Sequence, residues 1–285
     1  MPPLAVYTMQ MSFCKITAVG VAFASLLGLA NAQKNPFVGA NEFPQFRQIS
    51  GLSGGGYGLD LDGWGSLEGA TAFSTPLGIS LGHDQFRLGG NDTAFSINHL
   101  PNTVSDSHYG TGKAFITYGH SFGQLNATYS YFVKSGAGDA VTNLQLSYSS
   151  GKANEPSLSV GVQDIVGNGG SAGQGVTGDS ETSRSIFGAV TVPVAFTSGP
   201  PLYLSGGIGS RRFDKGFVSA SYRVLYPVRL WTEFDGFGFN EGLLFAYRSS
   251  NGVNEEGNKQ HAFEADLLLG FIRGRYPTVG LTIGY

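Results

Sequence analysis

The sequence predicts an all-β fold, an antiparallel transmembrane β-barrel of about 12 strands. Three observations point there: period-two alternation along most of the chain, a charge content too low for an ordinary soluble domain, and an apolar final strand ending on an aromatic residue. In that strand Val279, Leu281, Ile283 and Tyr285 share one face, with Thr278, Gly280, Thr282 and Gly284 on the other. In a soluble sheet it would be a bare apolar edge. In a closed barrel it is the seam, pairing back to the first strand so that no edge remains.

Charged residues make up 13% of the chain, against about 25% in soluble domains. Apolar content is only 41%, and mean hydropathy is −0.01. Low charge without high hydropathy is what alternating lipid-facing and lumen-facing rows produce. A soluble β-sandwich would alternate too, but with more charge on its outer row than Asn, Gln, Ser and Thr provide. The 44 glycines suit strands that curve sharply or relieve crowding in a narrow lumen. Persistent alternation and 13% aromatic residues oppose a disordered, Gly-rich chain.

Residues 1–32 read as a secretory signal peptide. Met11 to Lys15 is a short basic lead, Ile16 to Leu29 an apolar stretch, and Ala30-Asn31-Ala32 a small-residue cleavage site before Gln33. The apolar stretch falls short of the roughly 20 residues that span a bilayer. The single cysteine, Cys14, lies in the part removed, so no disulfide or thiol chemistry is expected of the mature chain. Removing Lys15 from the 17 basic residues leaves 16 against 20 acidic ones, a net of −4. With no basic run, nucleic acid is not an expected partner. No helix-length apolar stretch follows the signal, which excludes a helical membrane protein.

Residues 33–66 form a polar, Gly-rich lead that includes Gly51-Leu52-Ser53-Gly54-Gly55-Gly56. A flexible segment, a plug and an irregular first strand all fit it. The barrel is expected over 67–285. Its strand-like segments run at about Glu68–Ser74, Gly78–Leu88, Gly112–His120, Gln124–Val133, Val141–Ser150 and Ser157–Ile165. They continue at about Ser183–Val194, Leu202–Gly209, Phe217–Leu225, Val228–Asp235, Glu241–Arg248, Ala262–Phe271 and Pro277–Tyr285. That is an odd number, whereas bacterial single-chain barrels have even ones. One early segment is therefore merged or outside the closed sheet. Residues 89–111 and Gly167 to Thr182 are the long polar intervals, expected on one rim with short turns on the other.

Period-two counting places Arg223, Arg229, Glu233, Glu264 and Asp266 on the lumen row. A lipid-facing Arg or Lys at mid-bilayer would cost roughly 2–4 kcal/mol. These charges therefore either fill a small lumen as a salt-bridge network or line a solute path. Among the five histidines, His120 with a nearby Ser is the one candidate for hydrolase chemistry. No spaced nucleophile motif, metal-ligand cluster or phosphate-cradling loop stands out, so no catalytic residue, metal or cofactor is expected. Gly206-Gly207-Ile208-Gly209 opens no helix, and a nucleotide site fails on that context.

Several stretches together resemble the YjbH-type outer-membrane proteins associated with exopolysaccharide. They are Gly161-Val162-Gln163-Asp164-Ile165-Val166-Gly167, Pro201 to Gly209, Val228 to Gly236, and Asn240-Glu241-Gly242-Leu243. Thr75-Pro76-Leu77 and Gly112-Lys113-Ala114 are weaker echoes. Members of that family are typically longer and often lipoproteins, whereas this chain is about one barrel long and lacks a lipobox. The resemblance implies a bacterial outer-membrane barrel that assists polysaccharide export, and it assigns no catalytic residue.

The expected function is thus a non-enzymatic, porin-like barrel of a Gram-negative outer membrane, passing polar solutes or exopolysaccharide. Its expected partners are outer-membrane lipid, the barrel-assembly machinery and the solute. The alternatives are a structural barrel presenting surface loops for adhesion, and an outer-membrane hydrolase.

Overall fold

The computed structural model describes residues 52–93, 113–134, 140–150, 155–166, 184–249 and 261–285. The expected signal peptide, the start of the Gly-rich lead and the Gly167–Thr182 interval lie outside the described residues.

Twelve antiparallel strands close on themselves. In chain order they are β1 (Gln85–Thr93), β2 (Lys113–Phe122), β3 (Leu125–Lys134), β4 (Ala140–Tyr148), β5 (Ser157–Gln163) and β6 (Ser185–Val194). The second half holds β7 (Leu202–Gly209), β8 (Phe217–Leu225), β9 (Val228–Phe234), β10 (Phe239–Arg248), β11 (Glu264–Ile272) and β12 (Tyr276–Gly284). Each strand pairs with its sequence neighbours. β12 pairs with β1 through Leu88–Ile283 and Gly90–Leu281, while Phe86 and Tyr285 exchange backbone hydrogen bonds. The seam leaves no edge.

Alternation decides which side each residue faces. Along β4, Val141, Asn143, Gln145 and Ser147 are buried, while Leu144, Leu146 and Tyr148 are exposed at 37%, 44% and 44%. Every strand repeats the theme: large apolar side chains face outward and mostly small or polar ones face inward. An apolar outer band around a polar interior inverts the soluble arrangement and is the solution lipid requires.

Two rims follow from the up-and-down order. The terminal rim carries the start of β1, the chain end at Tyr285 and short links such as Gly123-Gln124 and Tyr226-Pro227. At the opposite rim β1 and β5 end and β2 and β6 begin, so the two long connections leave from there. One connection breaks the simple division: β10 ends at Arg248 and β11 begins at Glu264, both on the terminal rim.

Inward aromatics fit because a glycine stands opposite. Trp231 pairs with Gly242, which pairs with Gly270. A Cβ on Gly242 or Gly270 would lie 2.8 or 2.7 Å from the indole. Phe187 faces Gly161 in the same manner. The bare backbone makes room for a ring that fills the interior.

The first barrel strand begins at Gln85, not near residue 67. Glu68–Ser74 is not a strand of the wall, and of Gly78–Leu88 only the last four residues join β1. These segments lie inside the barrel, where residues 52–59 and 69–82 are buried throughout. Their alternation is real but has a different cause. Ala70, Ala72, Leu77, Ile79 and Leu81 pack with Tyr57, Leu59 and Leu61 into a small core of their own, touched from the wall by Tyr203. Between them, Phe73 turns to Trp231 of the wall, whereas the Thr71 hydroxyl donates back to the plug's own Tyr57 carbonyl at 2.8 Å.

Candidate functional site: the plugged lumen

The interior segment pairs its backbone mainly with itself, through turns and isolated bridges such as Gly55–Ala72 and Leu59–Ala70, and does not join the wall's ladder. Buried peptide groups must be satisfied somewhere, and the wall's inward side chains serve others. Gly78 N–H donates to Thr191 Oγ1 at 2.8 Å, and Ser80 N–H to Ser147 Oγ at 2.8 Å. Thr71 N–H donates to Ser221 Oγ at 3.1 Å. Gln145 Nε2 donates to the carbonyls of Leu77 and Ile79 at 2.7 and 3.0 Å, and Ser159 Oγ to that of Leu77 at 2.8 Å. Ser53 and Thr128 hydroxyls meet at 2.8 Å. The plug is held by polar side chains reading its backbone, not by extension of the sheet.

Glu233 is the strongest of these anchors. Buried to 1% exposure, its carboxylate accepts the N–H groups of Phe73 (3.0 Å), Ser74 (2.7 Å) and Thr75 (3.2 Å). Thr75 Oγ1 adds a fourth bond at 2.9 Å, and Asn240 Nδ2 a fifth at 3.0 Å. Five donors, four from the plug and one from the wall, thus converge on a single carboxyl group. Beside it Phe73 enters the aromatic layer of Trp231, Leu244, Leu268, Ile272 and Tyr276, and Arg212 Nη2 donates to the Ser74 carbonyl at 3.3 Å.

The other sequence-derived lumen residues are also placed. Arg229 is buried and donates to the carbonyls of Ser66 and Leu67 in the plug. Arg223, half-buried beside the β8–β9 register shift, forms an ion pair with plug residue Glu68. Glu264 pairs with Arg87 (2.5 Å) and Arg248 (3.1 Å). Asp266 is buried within electrostatic reach of Arg87, Arg229 and Glu264. Arg223, Arg229 and Glu233 thus bond to the plug, Glu264 and Arg87 pack together against plug residue Gly65, and Asp266 lies near the same wall cation. The seam residues Leu281, Ile283 and Tyr285 are exposed on the outer face, with Val279 half-buried on the same row.

Sequence counting had not singled out Arg87, Gln145, Thr191, Ser147, Ser159 or Asn240. The signal for Arg87 was present, since it lies between outward Phe86 and Leu88. For the neutral residues it was not: Ser, Thr and Gln on an inner row look alike whether they meet water or a backbone.

Of His120 and its neighbour Ser121, the structure brings only the histidine to a carboxylate. His120 Nδ1 meets Asp84 Oδ1 at 2.5 Å, on the outer face of the terminal rim. Ser121 lies on the opposite row, accepting from His83 N–H and donating to Asn126 Oδ1. The next residue on the His120 face is Phe122. Among the described residues no cluster of His, Cys, Asp or Glu could hold a metal.

No family model matches this sequence, and no curated protein matches it. Among solved structures, a KdgM porin in complex with disordered oligogalacturonate is similar at 9% identity and a TM-score of 0.46, over 70% of this chain and 98% of the other. Two mutants of the Rh. blastica porin are similar at 12% and 13% identity, with TM-scores of 0.31 and 0.32. Each covers 61% of this chain and 55% of its own.

Proposed function

We propose that the protein is a non-enzymatic outer-membrane barrel whose polar lumen is closed at rest by residues 52–84 and conducts polar solutes when that segment shifts. The outer apolar band supports the membrane location, reached after cleavage of the signal peptide near Ala32 and with help from the barrel-assembly machinery. The observation that carries the conducting role is the chemistry of the plug contacts. Thr191, Ser147, Gln145, Ser159, Ser221 and Glu233 bind plug backbone through groups that water satisfies equally well. Withdrawing the plug would leave a lumen that wets. Arg229 and Glu233, with Glu264 and Asp266 beside them, would then line the path, and Arg223 would stand near its terminal rim. Exopolysaccharide is the glycan that the sequence resemblance suggests as cargo.

A second reading has its own support. The plug's core of Tyr57, Leu59, Leu61, Leu77, Ile79 and Leu81 would be exposed to water by withdrawal. A permanently filled barrel that presents its long inter-strand segments for adhesion or assembly avoids that penalty.

A double substitution, Ser53→Cys with Thr128→Cys, separates the two. The hydroxyls meet at 2.8 Å, close enough for a disulfide to tie plug to wall. In planar bilayers the reduced protein should give conductance steps that oxidation abolishes. Silence in both states, with Glu233→Ala also silent, would overturn the conducting role and leave the filled barrel.

A further inference from the structure

The lipid-facing surface is not smooth at the seam. Where β11, β12, β1 and β2 approach the terminal rim, a groove of about 230 Å³ is lined by the side chains of Phe86, Leu88, Ile116, Phe263, Ile283 and Tyr285, together with Gly284 and with Arg87, which is buried at 1% exposure. All six side chains belong to the outward row, between 38% and 65% exposed. Leu88 stands between Ile116 and Ile283 in the ladder, so the groove crosses the seam itself.

A polar cluster closes the rim end. The Phe86 ring lies 4.7 Å from that of Tyr118. Tyr118 donates its hydroxyl to Asp84 Oδ1 at 2.5 Å, and His120 Nδ1 meets the same oxygen at 2.5 Å. Phe122 packs edge-on against the imidazole at 4.4 Å. His83 and Asp84 both adopt the left-handed conformation, φ 58° and 56°. That pair of turns sends the His83 ring in to the Asp62 carbonyl and leaves Asp84 outside, its side chain 60% exposed. The Tyr118 hydroxyl, then His120, holds the Asp84 carboxyl below the usual carboxylate range, so it is ionised at neutral pH.

The occupant follows from size and charge. A stable interface with a second protein takes roughly 20–30 residues a side, far more than this groove offers. One hydrocarbon chain needs only a narrow apolar trough. Beside it, a carboxylate among aromatic rings attracts an ammonium group, through charge and through the ring faces. A headgroup with phosphate and no cation would instead bring like charge towards Asp84. We propose that this groove is a binding site for phosphatidylethanolamine, one acyl chain lying along Leu88, Ile116 and Ile283 and the ammonium group on Asp84. The proposal rests on the membrane location given above.

Delipidated protein in detergent, titrated with phosphatidylethanolamine or phosphatidylglycerol and read by native mass spectrometry, tests it. One ethanolamine lipid should bind with about five-fold preference. Asp84→Asn should erase the preference while keeping the adduct, and Ile116→Trp, which fills the trough, should abolish both adducts. Equal binding of the two lipids, or an unchanged preference in Asp84→Asn, would overturn the site. Heat-dependent gel mobility reports whether each variant is folded. Flotation with vesicles tests the membrane location separately: protein that floats yet shows no preference sinks only the lipid site.

Discussion

Residues 68–81 and residues 276–285 carry the same period-two pattern and end in opposite places. The second is β12, in the wall, with Leu281 and Ile283 facing out. The first is folded into the lumen, with Ala72, Leu77, Ile79 and Leu81 at 0% exposure. The difference lies in what each row can meet. The apolar row of β12 can face hydrocarbon while its Thr and Gly row faces inward. The early segment's apolar row has Tyr57, Leu59 and Leu61 to pack on, and its backbone finds Ser, Thr, Gln and Glu side chains. Alternation reports that two sides differ. It does not report which environment each side finds.

That comparison can be broken at the anchor. Glu233→Ala leaves the N–H groups of Phe73, Ser74 and Thr75 without their acceptor, a loss of about 1–3 kcal/mol for each donor that nothing replaces. Limited proteolysis should then cut within residues 52–81 while the barrel stays intact. Glu233→Gln, which keeps an acceptor oxygen, should be cut less. Equal resistance in wild type and Glu233→Ala would mean that the small apolar core alone holds the plug.

On the outer face, Leu144→Arg should destabilise the barrel in bilayers by about 2–4 kcal/mol. The same change should be far milder in a soluble environment, because Leu144 already faces outward. A denaturant titration in vesicles of matched composition reads it, and a neutral result would place that row in water. Inside the wall, Gly242→Val should cost about 1–3 kcal/mol by overpacking, because its Cβ would meet the Leu269 carbonyl oxygen before the Trp231 indole at 2.8 Å. Pairing it with Trp231→Leu should therefore leave most of the loss in place, as a stability measurement on the double variant would show.

The smallest effect belongs to pH. The depressed Asp84 carboxyl adds stability that is present above its ordinary value of 3.8 and is lost as pH falls through its lower folded value. Melting temperature should therefore decline slightly less on acidification in Asp84→Asn than in wild type. Parallel pH profiles would remove Asp84 from the account.

How much was legible in advance differs by region. From Leu202–Gly209 and Phe217–Leu225 the strand bounds could be read residue for residue, because hydrophobic alternation there is bounded by Gly and Pro and each strand pairs with its chain neighbour. Arg229 and Glu233 could be assigned a side, since a charge facing lipid is expensive. Their partners could not be read, because Ser66, Leu67 and Phe73–Thr75 lie some 160 residues away in sequence and contribute backbone atoms, which carry no sequence signature.

By itself, then, the sequence determined the wall: its period, its apolar outer row and a last strand that needs a partner. Those are local consequences of side chains meeting one of two solvents. Only the tertiary structure decided what fills the barrel. Whether an inner row of Ser, Thr, Gln and Glu meets water or a buried backbone depends on contacts closed across the whole chain.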